Sequence, residues 1–174
     1  EVTGTPWIAI GNRVDGGVVE RTQKFLTQEG LSEVGLTVAP PGTLLFAMYA
    51  SVGKTSVTSV PAVWNQAILG LVPNPDVDVR FLLAWMEASR PALPAIARSA
   101  TQDNLNADQV ARLRVPNETF QRQREIGAMR DTIVETKLEF NQAIAQGIRL
   151  LEERKRSLIT AAVTGEFDVS SASS

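Results

Sequence analysis

Between Gln123 and about Val163 the chain has no proline, and Gly127 and Gly147 are its only glycines. Apolar residues recur there at Ile126, Met129, Ile133, Leu138, Phe140, Ile144, Ile148, Leu151 and Leu158, mostly three to five positions apart. Arg130, Glu135, Glu139, Glu152, Arg154 and Arg156 fall between them. This is the pattern of one long amphipathic helix. About 40 residues at a rise of 1.5 Å give a rod of roughly 60 Å. The ~116 residues before it would fold to a radius of gyration of only ~13–14 Å. A domain of that size cannot cover such a rod, so its apolar stripe is expected to meet a second helix. A long core helix is the plainer alternative. Thr164-Gly165 supplies a stop, and Ser170 to Ser174 reads as a disordered tail.

The front of the chain has a different texture, rich in Gly, Pro, Thr and Val. Pro6 to Ile10, followed by Gly11-Asn12, predicts a strand and a turn. Thr43 to Met48, after Pro40-Pro41-Gly42, is the clearest strand, and the β-branched run Thr55 to Val60 predicts another. Asp78 to Arg90 has Val79, Leu82, Leu83 and Met86 at helical spacing behind an aspartate cap, until Pro91 and Pro94 disturb it. The expected class is α+β: a small mixed, β-rich domain over residues 1–116, a long coiled-coil-forming helix over 117–165, and a tail over 166–174.

Several function classes are excluded by residue type. The 174 residues contain no cysteine and no histidine, which removes disulfides, zinc-finger sites, cysteine nucleophiles and histidine bases. No uncharged apolar run of membrane-spanning length or signal-peptide pattern is present, so the protein is read as soluble and cytoplasmic. Glu1 in place of methionine leaves open a start further upstream. Residues 1–116 hold nine Lys/Arg against ten Asp/Glu, and the whole chain carries a net charge of −2. Phosphate neutralisation dominates nucleic-acid affinity. Any DNA contact must therefore come from a local basic face or from a larger assembly.

Four features bear on chemistry. Gly53-Lys54-Thr55 follows an apolar strand, as at the end of a phosphate-cradling loop. That loop needs a glycine where Met48 stands and a helix where Ser56 to Val60 favours a strand. A turn presenting Lys54 to a phosphate fits better. Pro75-Asp76 with Glu153-Arg154-Lys155 superficially suggests a nuclease, but Glu153 and Lys155 point in different directions from a helix and cannot converge on one ion. There is no glycine-rich methyl-donor turn and no Asn/Asp-Pro-Pro-aromatic loop. No catalytic residue, metal site or cofactor is expected.

The fourth feature is the polar run Arg98 to Asn106. Gln102 and Asn104 are able to pair with adenine in a major groove, Arg98 suits a phosphate, and Thr101 either. The alternative is a loop whose amides cap the next element. Tyr49, Ser51, Asn65 and Gln66 carry the same two readings. Trp64 and Trp85 are read as packing residues.

Taken together, blocks of the sequence resemble a known family. Gly42-Thr43-Leu44-Leu45-Phe46 through Ser51-Val52-Gly53-Lys54 resembles a Gly-Asp/Thr-apolar-apolar run ending in Ser-x-Gly-Lys. Asn65-Gln66-Ala67-Ile68 resembles the Asn-Gln-apolar block that follows, and Thr101 to Leu105 a Gln-x-Asn-apolar stretch. Val115-Pro116 and Gln123-Arg124-Glu125-Ile126 resemble the start of the conserved helix, with Arg122 in place of a usual glutamate, which would weaken capping there. Ile148 to Ile159 and Ala162-Val163-Thr164-Gly165 resemble its end. Five blocks in order over about 130 residues resemble the specificity subunits of type I restriction–modification enzymes.

Such subunits usually have two target-recognition domains and two long helices that pair antiparallel as a ruler between half-sites. They dock adenine-methylating modification subunits, which recruit restriction subunits. The resemblance implies that this chain, with one domain and one helix, reads half of a bipartite double-stranded DNA target without catalysis of its own. It fits a natural half-subunit, a truncated product or an engineered fragment, and its ending suggests a carboxyl-terminal or stand-alone half. Two copies would restore the full arrangement as an antiparallel homodimer packed through Ile126, Ile133, Phe140, Ile144, Ile148, Leu151 and Leu158. The competing reading is a coiled-coil scaffold whose front domain binds protein. A small hydrolase or transferase is poorly supported without a carboxylate pair or nucleophile.

Overall fold

The computed structural model describes residues 4–12, 15–49, 51–97 and 104–165. The chain divides into two units, Glu1–Arg130 and Asp131–Ser174. Among the described residues the first contains seven short strands: β1 (Thr5–Ile8), β2 (Gly17–Val19), β3 (Lys24–Leu26), β4 (Leu44–Ala47), β5 (Thr55–Thr58), β6 (Val63–Trp64) and β7 (Ile68–Leu71). It also holds the helices α1 (Gln28–Val34), α2 (Val79–Ser89), α3 (Leu93–Ala97) and α4 (Ala107–Ala111). A fifth helix, α5, runs Phe120–Val163, so its first turns belong to this unit.

β4 is the centre of the domain, and all four of its residues are buried. It lies between β5 and β7, antiparallel to both, in a four-stranded sheet of order β2-β5-β4-β7. Side chains alternate across a strand, and both faces of β4 are used. Leu44 and Phe46 pack with Leu82, Leu83, Met86, Leu93, Leu105 and Val110 of the helical layer. Leu45 faces the other way and packs with Ile8, Val19, Ala62 and Ile68. There a three-stranded sheet, β3-β1-β6, forms the third layer. A strand buried on both faces reads as an unbroken apolar run, which is why Thr43 to Met48 was the clearest strand in the sequence.

Two expected strands are shorter than their apolar runs. β1 stops at Ile8, and Ile10–Asn12 forms a 3-10 turn. β5 stops at Thr58, whose hydroxyl donates to the Val60 carbonyl at 2.6 Å and turns the chain out of the sheet. Trp64 packs against Gly70 of β7 and the Leu45 layer, and Trp85 against the Phe46 layer.

The helix boundaries follow local chemistry. Asp78 caps α2 by accepting from Arg80 N at 2.8 Å and Phe81 N at 3.4 Å. α2 then ends as a 3-10 turn over Arg90–Ala92, where Pro91 stands. α5 begins three residues before the expected Gln123. Thr119 Oγ1 accepts from Arg122 N at 3.3 Å, which places Arg122 at the third helical position. A glutamate there would reach back to the cap. Arg122 cannot accept, and instead pairs with Glu125 at 2.8 Å.

Gln123 and Gly127 are the buried residues of α5, and both face α2. Gln123 Oε1 accepts from Asp78 N at 2.9 Å, and its amide donates to the Glu118 carbonyl at 2.9 Å. A Cβ on Gly127 would stand 2.9 Å from Cβ of Arg80, so only glycine allows this approach. Arg130 closes the contact with a two-point ion pair to Glu87, at 2.8 and 3.1 Å.

The second unit holds the rest of α5, whose apolar residues are exposed: Ile133 and Phe140 at 65% each and Leu151 at 68%. Ile144, Ile148 and Leu158 are exposed as well, whereas Ile126, in the first unit, is half-buried. α5 is followed by a turn at Thr164-Gly165. Among the described residues no helix is long and apolar enough to cross a membrane. The expected tail, 166–174, lies outside the described residues.

Candidate nucleic-acid interface

Three of the polar segments singled out in the sequence meet at Met48. This residue follows β4, where its backbone leaves the sheet. Its amide donates to the Ala67 carbonyl at 2.9 Å, and its carbonyl accepts from Leu105 N at 3.1 Å. The β4–β5 loop, the β6–β7 turn and the segment before α4 are thereby fastened to one point. Leu105 is fully buried behind them.

This junction gathers Tyr49, Ser51, Asn65, Gln66 and Asn104. Tyr49 and Gln66 are exposed, and Ser51, Asn65 and Asn104 are half-buried. Asn65 Oδ1 is buried with no protein hydrogen-bond partner among the described residues. Arg98, Thr101 and Gln102 lie outside the described residues. Asn106 is a cap: its side chain accepts from Gln109 N at 2.8 Å while Gln109 Oε1 accepts from Asn106 N at 3.0 Å. At that position the capping reading of the polar run holds.

Lys54 is exposed at the end of the β4–β5 loop, and the loop's shape depends on Gly53. Gly53 has φ of +81°, and a Cβ there would stand 2.6 Å from Leu93 Cδ1. Its amide donates to the Ala47 carbonyl at 3.0 Å and returns the chain to β5. The segment after Lys54 is a strand, so the phosphate-cradling geometry of a nucleotide-hydrolysing loop is absent here.

Two residues that the sequence reading passed over hold this loop. Arg90 Nε donates to the Gly53 carbonyl at 3.0 Å, and its two terminal nitrogens reach the two oxygens of Asp15 at 2.7 Å each. Asp15 also accepts from Thr55 N at 3.2 Å. Partial burial pushes the Asp15 carboxyl up. The Arg90 and Thr55 hydrogen bonds and the charges of Arg90 and Lys54 outweigh it and leave the group below its ordinary value. Arg90 and Asp15 are 75 positions apart, with no shared motif to signal them.

A cleft of about 640 Å³ is lined by Arg80, Phe120, Gln121, Arg124, Glu125 and Ala128, none of which belongs to the three loops. Among the described residues there is no group of three or more acidic, cysteine or histidine side chains able to hold a metal. The arrangement of the loops is an open surface of amide, hydroxyl, aromatic and ammonium groups. It suits contact with an extended polar partner rather than enclosure of a small one.

The loops gathered at a strand end belong to an α+β domain that is continued by a long amphipathic helix. Residues 1–150 match the family described as the type I restriction modification DNA specificity domain, and the chain belongs to that family. Solved structures share the fold. A chain from a study of complex assembly and conformational transition of the type I R-M system aligns with a TM-score of 0.77 at 20% identity. That alignment covers 93% of this chain and 39% of that one. The HsdS subunit from Thermoanaerobacter tengcongensis aligns at 0.63 and 20% identity, covering 80% of this chain and 32% of that one. This chain therefore spans well under half the length of either.

Proposed function

We propose that the chain supplies DNA-sequence specificity to a type I restriction–modification assembly and performs no catalysis itself. In this reading residues 1–116 recognise one half of a bipartite double-stranded target, and the helix of 117–165 is the spacer. A modification subunit methylates adenine at the chosen site, and a restriction subunit joins the full complex. The observation that carries the reading is the fastening of three loops to Met48. It gives Tyr49, Ser51, Lys54, Asn65, Gln66 and Asn104 a common scaffold, with Arg98, Thr101 and Gln102 assigned to the same task from sequence. Phosphate contacts position a protein and base contacts specify. Lys54 and Arg98 take the first role, and Gln102 and Asn104 the second. The near-neutral charge is then met by partners that share the phosphate grip.

A second copy covers the exposed stripe of α5 in this proposal. Asp131, Glu135 and Glu139 precede the middle of the stripe, and Arg149, Arg154, Lys155 and Arg156 follow it. Antiparallel pairing sets acidic against basic segments, and parallel pairing sets like against like. Arg130, Lys137, Glu152 and Glu153 run against this trend without reversing it. The test is a gel shift with random duplexes, with and without the co-expressed modification subunit. Selective retention of a duplex family by the complex is expected. A complex that forms but retains all duplexes equally refutes the reading and favours a scaffold role.

A further inference from the structure

The turn at Asp15-Gly16 is gripped from two helices. From the end of α2, Arg90 holds the Asp15 carboxylate at both oxygens. From α5, Arg130 donates to the Gly16 carbonyl while it pairs with Glu87 of α2. Gly16 has φ of +74°, and a Cβ there would stand 2.6 Å from Glu87 Oε1 and 2.8 Å from Arg130 Nη2. Any other residue here would be strained by the positive φ, and its Cβ would push apart the Glu87–Arg130 pair.

The same turn grips the start of β5. Gly16 N donates to the Thr55 carbonyl at 2.7 Å, and Thr55 N donates to Asp15 at 3.2 Å, so both backbone groups of Thr55 are taken. Arg90 adds the bond to the Gly53 carbonyl. Lys54 sits between these two held residues. Neither end of Lys54's peptide frame moves without breaking a bond to Asp15, Gly16 or Arg90.

We propose that Asp15 and Arg90 are positioning residues for DNA readout, aiming the β4–β5 loop, and that Arg130 refers this aim to α5. This rests on the function proposed above and adds the means by which the loop is held to the spacer helix. Lysine is the discriminating replacement for either arginine. It keeps the charge, but a single ammonium cannot span both carboxylate oxygens and the Gly53 carbonyl as a guanidinium does. Asp15→Asn keeps the shape and removes the charge. Loop misplacement should shift Tyr49 and Ser51, the base-contact candidates on this loop, and so blur the choice of bases, while the positive charge of the arginine variants stays unchanged.

The experiment uses the full chain with its modification subunit. Duplexes are selected from a random library by wild type, Arg90→Lys, Asp15→Asn and Arg130→Lys, then sequenced. Binding of the preferred duplex and of single-base variants is measured for each. Amide exchange over residues 48–54 and across β4 is followed in parallel, so that a loosened loop is told from an unfolded domain. Wild type is expected to give a consensus. Arg90→Lys and Asp15→Asn should lose about tenfold in discrimination at one or more positions, the scale of one base contact. Exchange should rise over 48–54 with β4 still protected, and Arg130→Lys should give a smaller loss at the same positions. A wild-type consensus reproduced undiminished by Arg90→Lys and Asp15→Asn overturns this inference alone, even if both variants melt earlier. Absence of any wild-type consensus overturns the proposed function, and this inference with it.

Discussion

Replacing Gln123 tests whether the seat of α5 on the domain is a matter of hydrogen bonding or of packing. The side chain is 7% exposed and bridges two elements: its oxygen takes the Asp78 amide and its nitrogen reaches the Glu118 carbonyl. In Gln123→Ala the Asp78 N–H loses its acceptor, and a part-buried donor left unpaired costs ~1–3 kcal/mol. Glu118 is exposed, so water replaces the other partner and the net loss there is ~0.5–1 kcal/mol. Alanine returns a few tenths of a kcal/mol through helix propensity. The balance is a destabilisation of roughly 1–4 kcal/mol, centred on about 2.5.

Gln123→Met separates the contributions, since it keeps volume and helix propensity but can neither accept from Asp78 nor donate to Glu118 in the same way. All three tryptophans, Trp7, Trp64 and Trp85, lie in the first unit, so their fluorescence reports its unfolding in urea. With a slope of about 2 kcal/mol per molar, the middle of the range for a small domain, both variants should shift the midpoint down by about 1 M. A Gln123→Met midpoint equal to wild type, with unchanged slope, would show that packing alone seats the helix.

Two further outcomes follow from the same geometry. Glutamate in place of Ile133, Ile144 or Leu151, each exposed on α5, should turn the proposed homodimer into monomer by light scattering; dimers that persist in all three refute pairing through this stripe. For Asp15 and Asp78, burial raises the carboxyl. The hydrogen bonds to Arg90 and Thr55 in one case, and to Arg80 and the α2 amides in the other, outweigh burial, so both lie below the ordinary 3.8. A depressed folded-state value means the stabilisation is complete above 3.8 and is lost as pH falls from there through the folded values. Urea midpoints should therefore fall as pH is lowered through and below 3.8, and less steeply in Asp15→Asn and Asp78→Asn; slopes equal to wild type in both variants would refute it.

The elements legible in the sequence are those whose signals are local. α2 has its aspartate cap and its proline stop, α5 its long period, and β4 its unbroken apolar run. β2, β3, β6 and β7 were not read, because each is two to four residues long and is defined by partners far away, as in Trp7 against Val63 and Gly17 against Ser56. α1 and α4 were missed although their caps, Thr27 with Gly35 and Asn106 with Gln109, are sequence-readable. With seven and five residues, neither shows enough turns to establish a period. The site behaves similarly. Its polar segments were visible as motifs, but their meeting at Met48 rests on backbone bonds that no side-chain pattern announces.

Under the proposed function one helix serves two purposes, and the same contrast explains how. Up to Arg130, α5 carries residues chosen for contact with a fixed neighbour: an amide at Gln123, no side chain at Gly127, and a guanidinium at Arg130 that matches Glu87 at two points. Beyond it the pattern becomes a repeat of apolar residues and charges, with the large apolar side chains exposed. A seat needs particular groups at particular places, because a buried donor or close approach tolerates one solution. A spacer needs periodicity and length, and tolerates substitution within them. Sequence pattern therefore reads the spacer directly, whereas the seat becomes intelligible only once Asp78, Arg80 and Glu87 stand opposite it. Under the proposed function, variation in the loops at Met48 alters what is recognised without disturbing how the domain is seated on its helix, provided Gln123, Gly127, Glu87 and Arg130 are kept.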